Sequence, residues 1–165
     1  MDVGGRIDVS GTGTSSTGEF GNVTASFDAA SGALLWASYG VAPGVAFGDG
    51  VVYGNDGTTA CAADVGCGGV PLGAPLTPLR TNDPGSHGAH SGPVIDDGVL
   101  FIGGTDAVTA FDASGASGCA GTPPTCQPVA TIPLPSPADS MAASNGRLYV
   151  VTYDGQLRSL VPSHF

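Results

Sequence analysis

Lysine is absent from this sequence, and four arginines (Arg6, Arg80, Arg147 and Arg158) carry all of its permanent positive charge. Against 14 acidic residues this leaves a net charge of −10. A chain so poor in cations lacks the patches that neutralise phosphates, so nucleic acid and anionic membrane surfaces are excluded as partners. Long apolar runs are missing too. None approaches the roughly 18–20 residues that cross a bilayer, and no membrane span is expected. Met1-Asp2-Val3-Gly4-Gly5 has neither the charged nor the apolar region of a signal peptide, so the sequence reads as a mature product or a segment of a longer chain. Charged residues make up only 11%, whereas hydrophobic ones reach 41%, a balance that argues against wholesale disorder. Glycine (28) and proline (13) are plentiful, and their density breaks helices and rules out an all-helical protein. The 165 residues suffice for one domain with a core.

The four cysteines fall into two close pairs, Cys61/Cys67 and Cys119/Cys126, each in a Gly/Pro-rich stretch. A hairpin loop there brings two sulfurs within reach, so two local disulfides are expected, each stabilising by roughly 2 kcal/mol through loop closure. Disulfides imply an oxidising compartment, extracellular or periplasmic. Free thiols in a cytosolic protein are the alternative. A four-thiolate zinc site normally uses CxxC pairs, and the spacings here are too long.

A repeat of 48 residues organises the chain. Val45-Ala46-Phe47-Gly48-Asp49-Gly50-Val51-Val52-Tyr53 aligns with Pro93 to Phe101 and with Met141 to Tyr149, which places the turn residue at Asp49, Asp97 and Asn145. Each copy is an apolar triplet, an Asp-Gly or Asn-Gly turn, and an apolar run ending in an aromatic, the strongest short-range hairpin signal. A third strand follows at Asp56–Cys61, Asp106–Phe111 and Asp154–Leu160, and earlier at Asn22–Phe27. A fourth reads at Leu34–Trp36, around Val70–Leu72, and at Val129–Ile132. Val99–Ile102 and Leu148–Val151 are apolar at every position, as central strands covered on both faces must be. Small residues at Ser91–Val94 and Ser140–Ala143 suit strands crowded around an axis. Four short antiparallel strands at this period describe the blade of a β-propeller. A β-sandwich, the competing fold, predicts cleaner alternation and no fixed interval.

Residues 27–36, Phe-Asp-Ala-Ala-Ser-Gly-Ala-Leu-Leu-Trp, resemble the blade motif of the PQQ-like β-propeller family, which includes quinoprotein alcohol dehydrogenases and a periplasmic assembly lipoprotein. Gly98 to Gly104 with Asp106 to Ser114 repeats it, and Gly50–Gly57 and Gly146–Gly155 follow more loosely. The segment from Phe111 to Cys126 is similar to a disulfide-bearing variant of secreted bacterial members. The resemblance implies that Trp36 packs structurally between blades. It also implies that Asp28 and Asp112 are turn residues rather than acids or bases. Blades two and three lack the Trp, so another contact must dock them. Division of 165 by 48 gives about 3.4 blades, fewer than the four to eight of closed propellers. The expected units are a partial blade over 1–40, blades over 41–80 and 91–135, and a partial blade over 139–165. Three explanations stand: a truncated longer product, an oligomer that completes the ring, or a cramped four-bladed closure.

The quinone site of the resembled enzymes needs adjacent cysteines, a stacking Trp and a calcium held by Glu, Asn and Asp. Here no two cysteines adjoin, the only Glu is Glu19, and the only Trp is Trp36. Neither PQQ nor calcium is therefore expected, and no catalytic residue is assigned. In the polar connection Arg80–His90, His87 and His90 with Asp83 form a candidate metal site, since imidazole and carboxylate suit transition ions. The plainer reading is a solvated rim loop near the channel mouth. No Gly-x-Ser-x-Gly elbow supports a hydrolase. Asp96-Asp97 belongs to a repeated turn, and Ser10–Gly18 reads as a flexible loop. The function expected is a non-catalytic extracytoplasmic binding or assembly scaffold for a protein or carbohydrate partner. The alternatives are a fragment of a PQQ-dependent oxidoreductase and a self-associating homo-oligomer joined through open blade faces.

Overall fold

A computed structural model describes residues 5–14, 18, 20–40, 44–48, 50–54, 57–68 and 78–161. Asp49, Asp56, Glu19 and the outer strand expected around Val70–Leu72 lie outside these residues. The chain is all-β. The first sheet is β1 (Arg6–Thr14), β2 (Phe20–Asp28) and β3 (Leu34–Tyr39). The second contains β4 (Ala46–Gly48), β5 (Val51–Gly54), β6 (Thr59–Ala62) and β7 (Arg80–Asn82). The third contains β8 (Val94–Asp96), β9 (Val99–Gly103) and β10 (Ala107–Asp112). Next come the short strands β11 (Cys119–Gly121) and β12 (Pro124–Cys126), and β13 (Ala130–Pro133) then completes the third sheet. The fourth is β14 (Ala138–Ser144), β15 (Arg147–Thr152) and β16 (Leu157–Leu160).

Inner strands β4, β8 and β14 touch one another in series, which gives the sheets their radial order. Three apolar cores fill the gaps between successive sheets. Val52, Cys61 and Cys67 meet Trp36 between the first and second. Val51, Tyr53 and Ala60 meet Leu100, Ile102 and Phe111 between the second and third. Phe101, Val108 and Ala110 meet Leu148 and Val150 between the third and fourth. This arrangement explains the unbroken apolar runs, because β5, β9 and β10 are covered on both faces. These sheets are blades of an open β-propeller. Ile7, Val9 and Leu157 remain exposed on the outward faces of the first and last sheets, so the chain does not adopt the cramped four-bladed closure.

The repeated turns have the backbone that their residues demand. Asp97 and Gly98 have φ of 49° and 76°, and Asn145 and Gly146 have 56° and 70°. Two successive positive φ values define the hairpin turn that suits strand twist, and Asn, Asp and Gly tolerate it best. At the other turn of the motif, Asp28 Oδ1 accepts from the Ser31 amide at 2.7 Å and its hydroxyl at 2.6 Å. Asp112 does the same with Ser114 at 2.9 and 2.6 Å, and its Oδ2 accepts from the Ser117 amide at 2.8 Å.

Two expectations need correction, and one segment that forms the expected disulfide hairpin takes a further role. Ser10–Thr14 is strand rather than flexible loop, paired in continuous register with β2 from Ser10↔Thr24 to Thr14↔Phe20. Backbone pairing along the whole of β1 holds this stretch against β2, and residues 15–17 of the expected loop lie outside the described residues. The outer strand of the second sheet is β7, so the polar connection begins as strand at Arg80–Asn82. The 119–126 segment does more than close a loop. Its hairpin β11–β12 leaves the third sheet and pairs in parallel with β7, Thr125↔Thr81 and Cys126↔Asn82, which extends the second sheet to six strands.

Candidate functional site

The connections that feed β8 and β14 gather at one end of the propeller, together with the turns β9–β10 and β15–β16. The connection after β7 makes a single 3-10 turn at Gly85–His87 and is strapped to the third blade. Thr105 donates its amide to the His87 carbonyl at 2.7 Å, and His90 donates its amide to the Gly103 carbonyl at 2.7 Å. Gly104 is a packing requirement here: a Cβ at that position falls 2.4 Å from the His87 carbonyl oxygen. The Ala138 amide donates to the Gly104 carbonyl at 3.0 Å, and the Tyr153 amide to the Pro137 carbonyl at 3.0 Å. Four chain segments thus form one hydrogen-bonded rim with fixed backbone and outward side chains.

His87 Nδ1 lies 2.6 Å from Asp106 Oδ1, with the histidine partly buried and the aspartate exposed. The His90 ring meets Tyr153 edge-on with centroids 6.3 Å apart. Asp83 turns the other way. Its Oδ1 accepts from the Gly85 amide at 2.8 Å and its Oδ2 from Gln127 Nε2 at 3.4 Å. The expected set of His87, His90 and Asp83 is therefore divided among three different partners. Among the described residues no three His, Cys, Asp or Glu side chains converge to hold a metal. On the same rim the Thr152 hydroxyl donates to Asp154 Oδ1 at 2.6 Å and holds that carboxyl below the ordinary carboxylate range. The side-chain bonds from Ser31 and Ser114 do the same for Asp28 and Asp112. These acids stay ionised and structurally engaged, which suits turn-making and not proton transfer.

Between the first two blades, Trp36 Nε1 donates to the Ala63 carbonyl at 2.8 Å, and Ser38 accepts from the Cys67 amide at 2.9 Å. Cys61 and Cys67 are bonded beside them, and Cys119 and Cys126 are bonded across the β11–β12 hairpin. A cavity of about 120 Å³ lies at the opposite end, lined in part by Arg6, Asp8, Phe47 and Gly50. It has room for a few waters, in keeping with a buried Asp8 Oδ1 that has no protein partner.

The contact that replaces Trp between the second and third blades is Arg80, which pattern reading missed. Its buried guanidinium bonds Tyr53 Oη at 2.6 Å and the Ala113 carbonyl, and lies 5.6 Å from the Tyr53 ring centroid. Tyr53 Oη also donates to the Ala113 carbonyl. A Cβ at Gly115 falls 2.9 Å from the guanidinium, so this glycine makes room for the cation. No local motif announces such a cluster, although an arginine in a chain with only four was a usable hint.

The sequence matches no protein-family model and no curated protein. Solved structures do match the fold. The computationally designed Ika8 protein aligns over 98% of this chain and 44% of its own, with a TM-score of 0.61 and 11% identity. The designed Ika4 protein aligns over 86% of this chain and 84% of its own, with a TM-score of 0.57 and 13% identity. BamB from Moraxella catarrhalis aligns over 94% of this chain and 50% of its own, with a TM-score of 0.53 and 20% identity. The chain thus spans about half the length of Ika8 and BamB. At these identities the likeness establishes the propeller-like fold.

Proposed function

We propose that this chain is a PQQ-like propeller repeat segment that acts as a non-catalytic scaffold in an extracytoplasmic compartment and presents its loop end to a protein partner, with a carbohydrate as the alternative ligand. The observation that carries this reading is the strapped rim. Backbone hydrogen bonds fix the segments around His87, Gly104, Pro137 and Tyr153, while His90, Asp106 and Tyr153 stand exposed on them. A surface with fixed backbone and exposed rings binds a partner with little ordering cost. Two disulfides favour an oxidising compartment. The Asp–Ser turns at Asp28–Ser31 and Asp112–Ser114 and the interblade position of Trp36 favour the PQQ-like repeat.

The test places a photo-cross-linker at His90 or Tyr153 on the loop end, and at Asn145 on the turn end as control, in cells that secrete the protein. Discrete adducts from the loop end alone support the scaffold. Equal capture from both ends removes the loop-end assignment. Dye-linked alcohol oxidation after addition of PQQ and calcium would overturn the non-catalytic reading.

A further inference from the structure

Two of the three contacts between blades, second on third and third on fourth, repeat one arrangement, while the first packs on the second through Trp36 instead. The aromatic that ends the 48-residue motif points forward into the next blade, where two aliphatic residues of its second strand receive it. Tyr53 is fully buried against Leu100 and Ile102, and Phe101 is 2% exposed against Leu148 and Val150. The third aromatic, Tyr149, occupies the same repeat position and is 36% exposed. Leu157, beside it on the same face, is 70% exposed.

The opposite end of the chain carries the matching receptor. In β1, Ile7 pairs with Phe27 just as Leu100 pairs with Phe111 in the third blade. Ile7 and Val9 therefore stand where Leu100 and Ile102 stand. The internal pair is fully buried, whereas Ile7 is 44% and Val9 45% exposed. The face that β1 turns toward the second blade is the other one, with Trp36 and Ser38. Strand alternation leaves Ile7, Val9, Phe27, Ala37 and Tyr39 on the side away from it.

We infer that two copies of this chain join head to tail, Tyr149 and Leu157 of each packing on Ile7, Val9 and Phe27 of the other, to complete one ring. Three observations choose a second copy as the occupant. The two halves of the repeated contact lie on one chain and are complementary, not self-complementary, so like faces do not pair. In a chain of net charge −10 neither of these packing sets contains an acid. And the chain accounts for 44% and 50% of the two larger solved propellers, so two copies supply a full circuit. A heterologous contact either closes or grows without limit, and a half-circuit arc closes at two. This inference stands apart from the scaffold reading, and its test does not depend on the loop end.

The experiment measures mass by sedimentation equilibrium for the 165-residue chain and for two variants, Val9→Lys on the receiving face and Tyr149→Glu on the inserting face. The parent chain should reach twice the monomer mass and stop there. Each variant alone should be monomeric, because both junctions of its dimer carry an unpaired charge and each weakens association by about a hundredfold. An equimolar mixture of the variants should recover the dimer, because it contains one unaltered junction and one Lys–Glu junction. A parent chain that stays monomeric at roughly 100 µM overturns the inference. So does a dimer broken by only one of the variants, a mass that keeps rising with concentration, or a mixture that fails to recover. Both substitutions sit on solvent-exposed faces, and circular dichroism of the monomeric variants checks that they remain folded. The parent mass needs no variant at all.

Discussion

Replacement of Tyr53 by Phe tests the clamp between the second and third blades with minimal change of shape. Tyr53→Phe keeps the ring, its fit among Leu100, Ile102 and Phe111, and its contact with the Arg80 guanidinium. It removes one oxygen, which accepts from Arg80 Nη2 at 2.6 Å and donates to the Ala113 carbonyl. That carbonyl keeps Arg80 as donor, so the loss falls mainly on the buried cation. A hydrogen bond to a charged group contributes about 1.5–3 kcal/mol, and the expected destabilisation is about 2 kcal/mol. For a chain of this length that lowers the melting temperature by about 4–8 °C. In the Arg80→Met background the hydroxyl serves only a neutral carbonyl, and its removal should cost about 1 kcal/mol. The coupling in the double-mutant cycle is then about 1 kcal/mol. Urea unfolding gives all four stabilities, with an unchanged m-value as the check on two-state behaviour. A Tyr53→Phe loss below about 0.5 kcal/mol, or an equal loss in both backgrounds, would refute the clamp.

Two further outcomes follow from the disulfides and the turn carboxylates. Conversion of Cys119 and Cys126 to Ser should cost about 3 kcal/mol, from loop closure and one hydroxyl buried at the core position of Cys126, whereas the same change at Cys61 and Cys67 should cost about 4 kcal/mol because it buries two hydroxyls beside Trp36. Calorimetry that finds the reverse order contradicts the packing argument. Asp28, Asp112 and Asp154 have folded pKa values below their unfolded ones, so their stabilisation is present at neutral pH and is lost as pH falls below about 4. Thermal midpoints of Asp112→Asn should accordingly be lower at pH 7 and fall less on acidification than those of the parent. Parallel curves would sink that account.

The parts of the fold that were legible from sequence are those with local causes. Asp97-Gly98 and Asn145-Gly146 declare their turns because few other residues accept that backbone, and the 48-residue interval then sets the strands. Cys61 with Cys67 and Cys119 with Cys126 were readable because each pair is close in sequence. What escaped notice depends on contacts between distant segments. Ser10–Thr14 has the composition of a linker, and only its register with β2 makes it strand. Arg80 lies in a polar run, yet its partners are 27 and 33 residues away. His87 and Asp83 are neighbours in sequence, but the turn between them sends His87 to Asp106, and the Gly85 amide already engages Asp83. The parallel pairing of β12 with β7 has no counterpart in the repeat at all.

That pairing changes how the molecule comes apart. In an ordinary array of repeats each unit holds only its neighbour's face, and unfolding proceeds one unit at a time. Here a piece of the third blade is stitched by backbone into the second, and Arg80 sits beside the seam. The middle pair consequently opens as a single cooperative block, while the outer sheets fray independently around it. Slowest amide exchange should therefore belong to Tyr53, Ile102 and Phe111, and a protease working inward from either terminus should stall at that stitched centre.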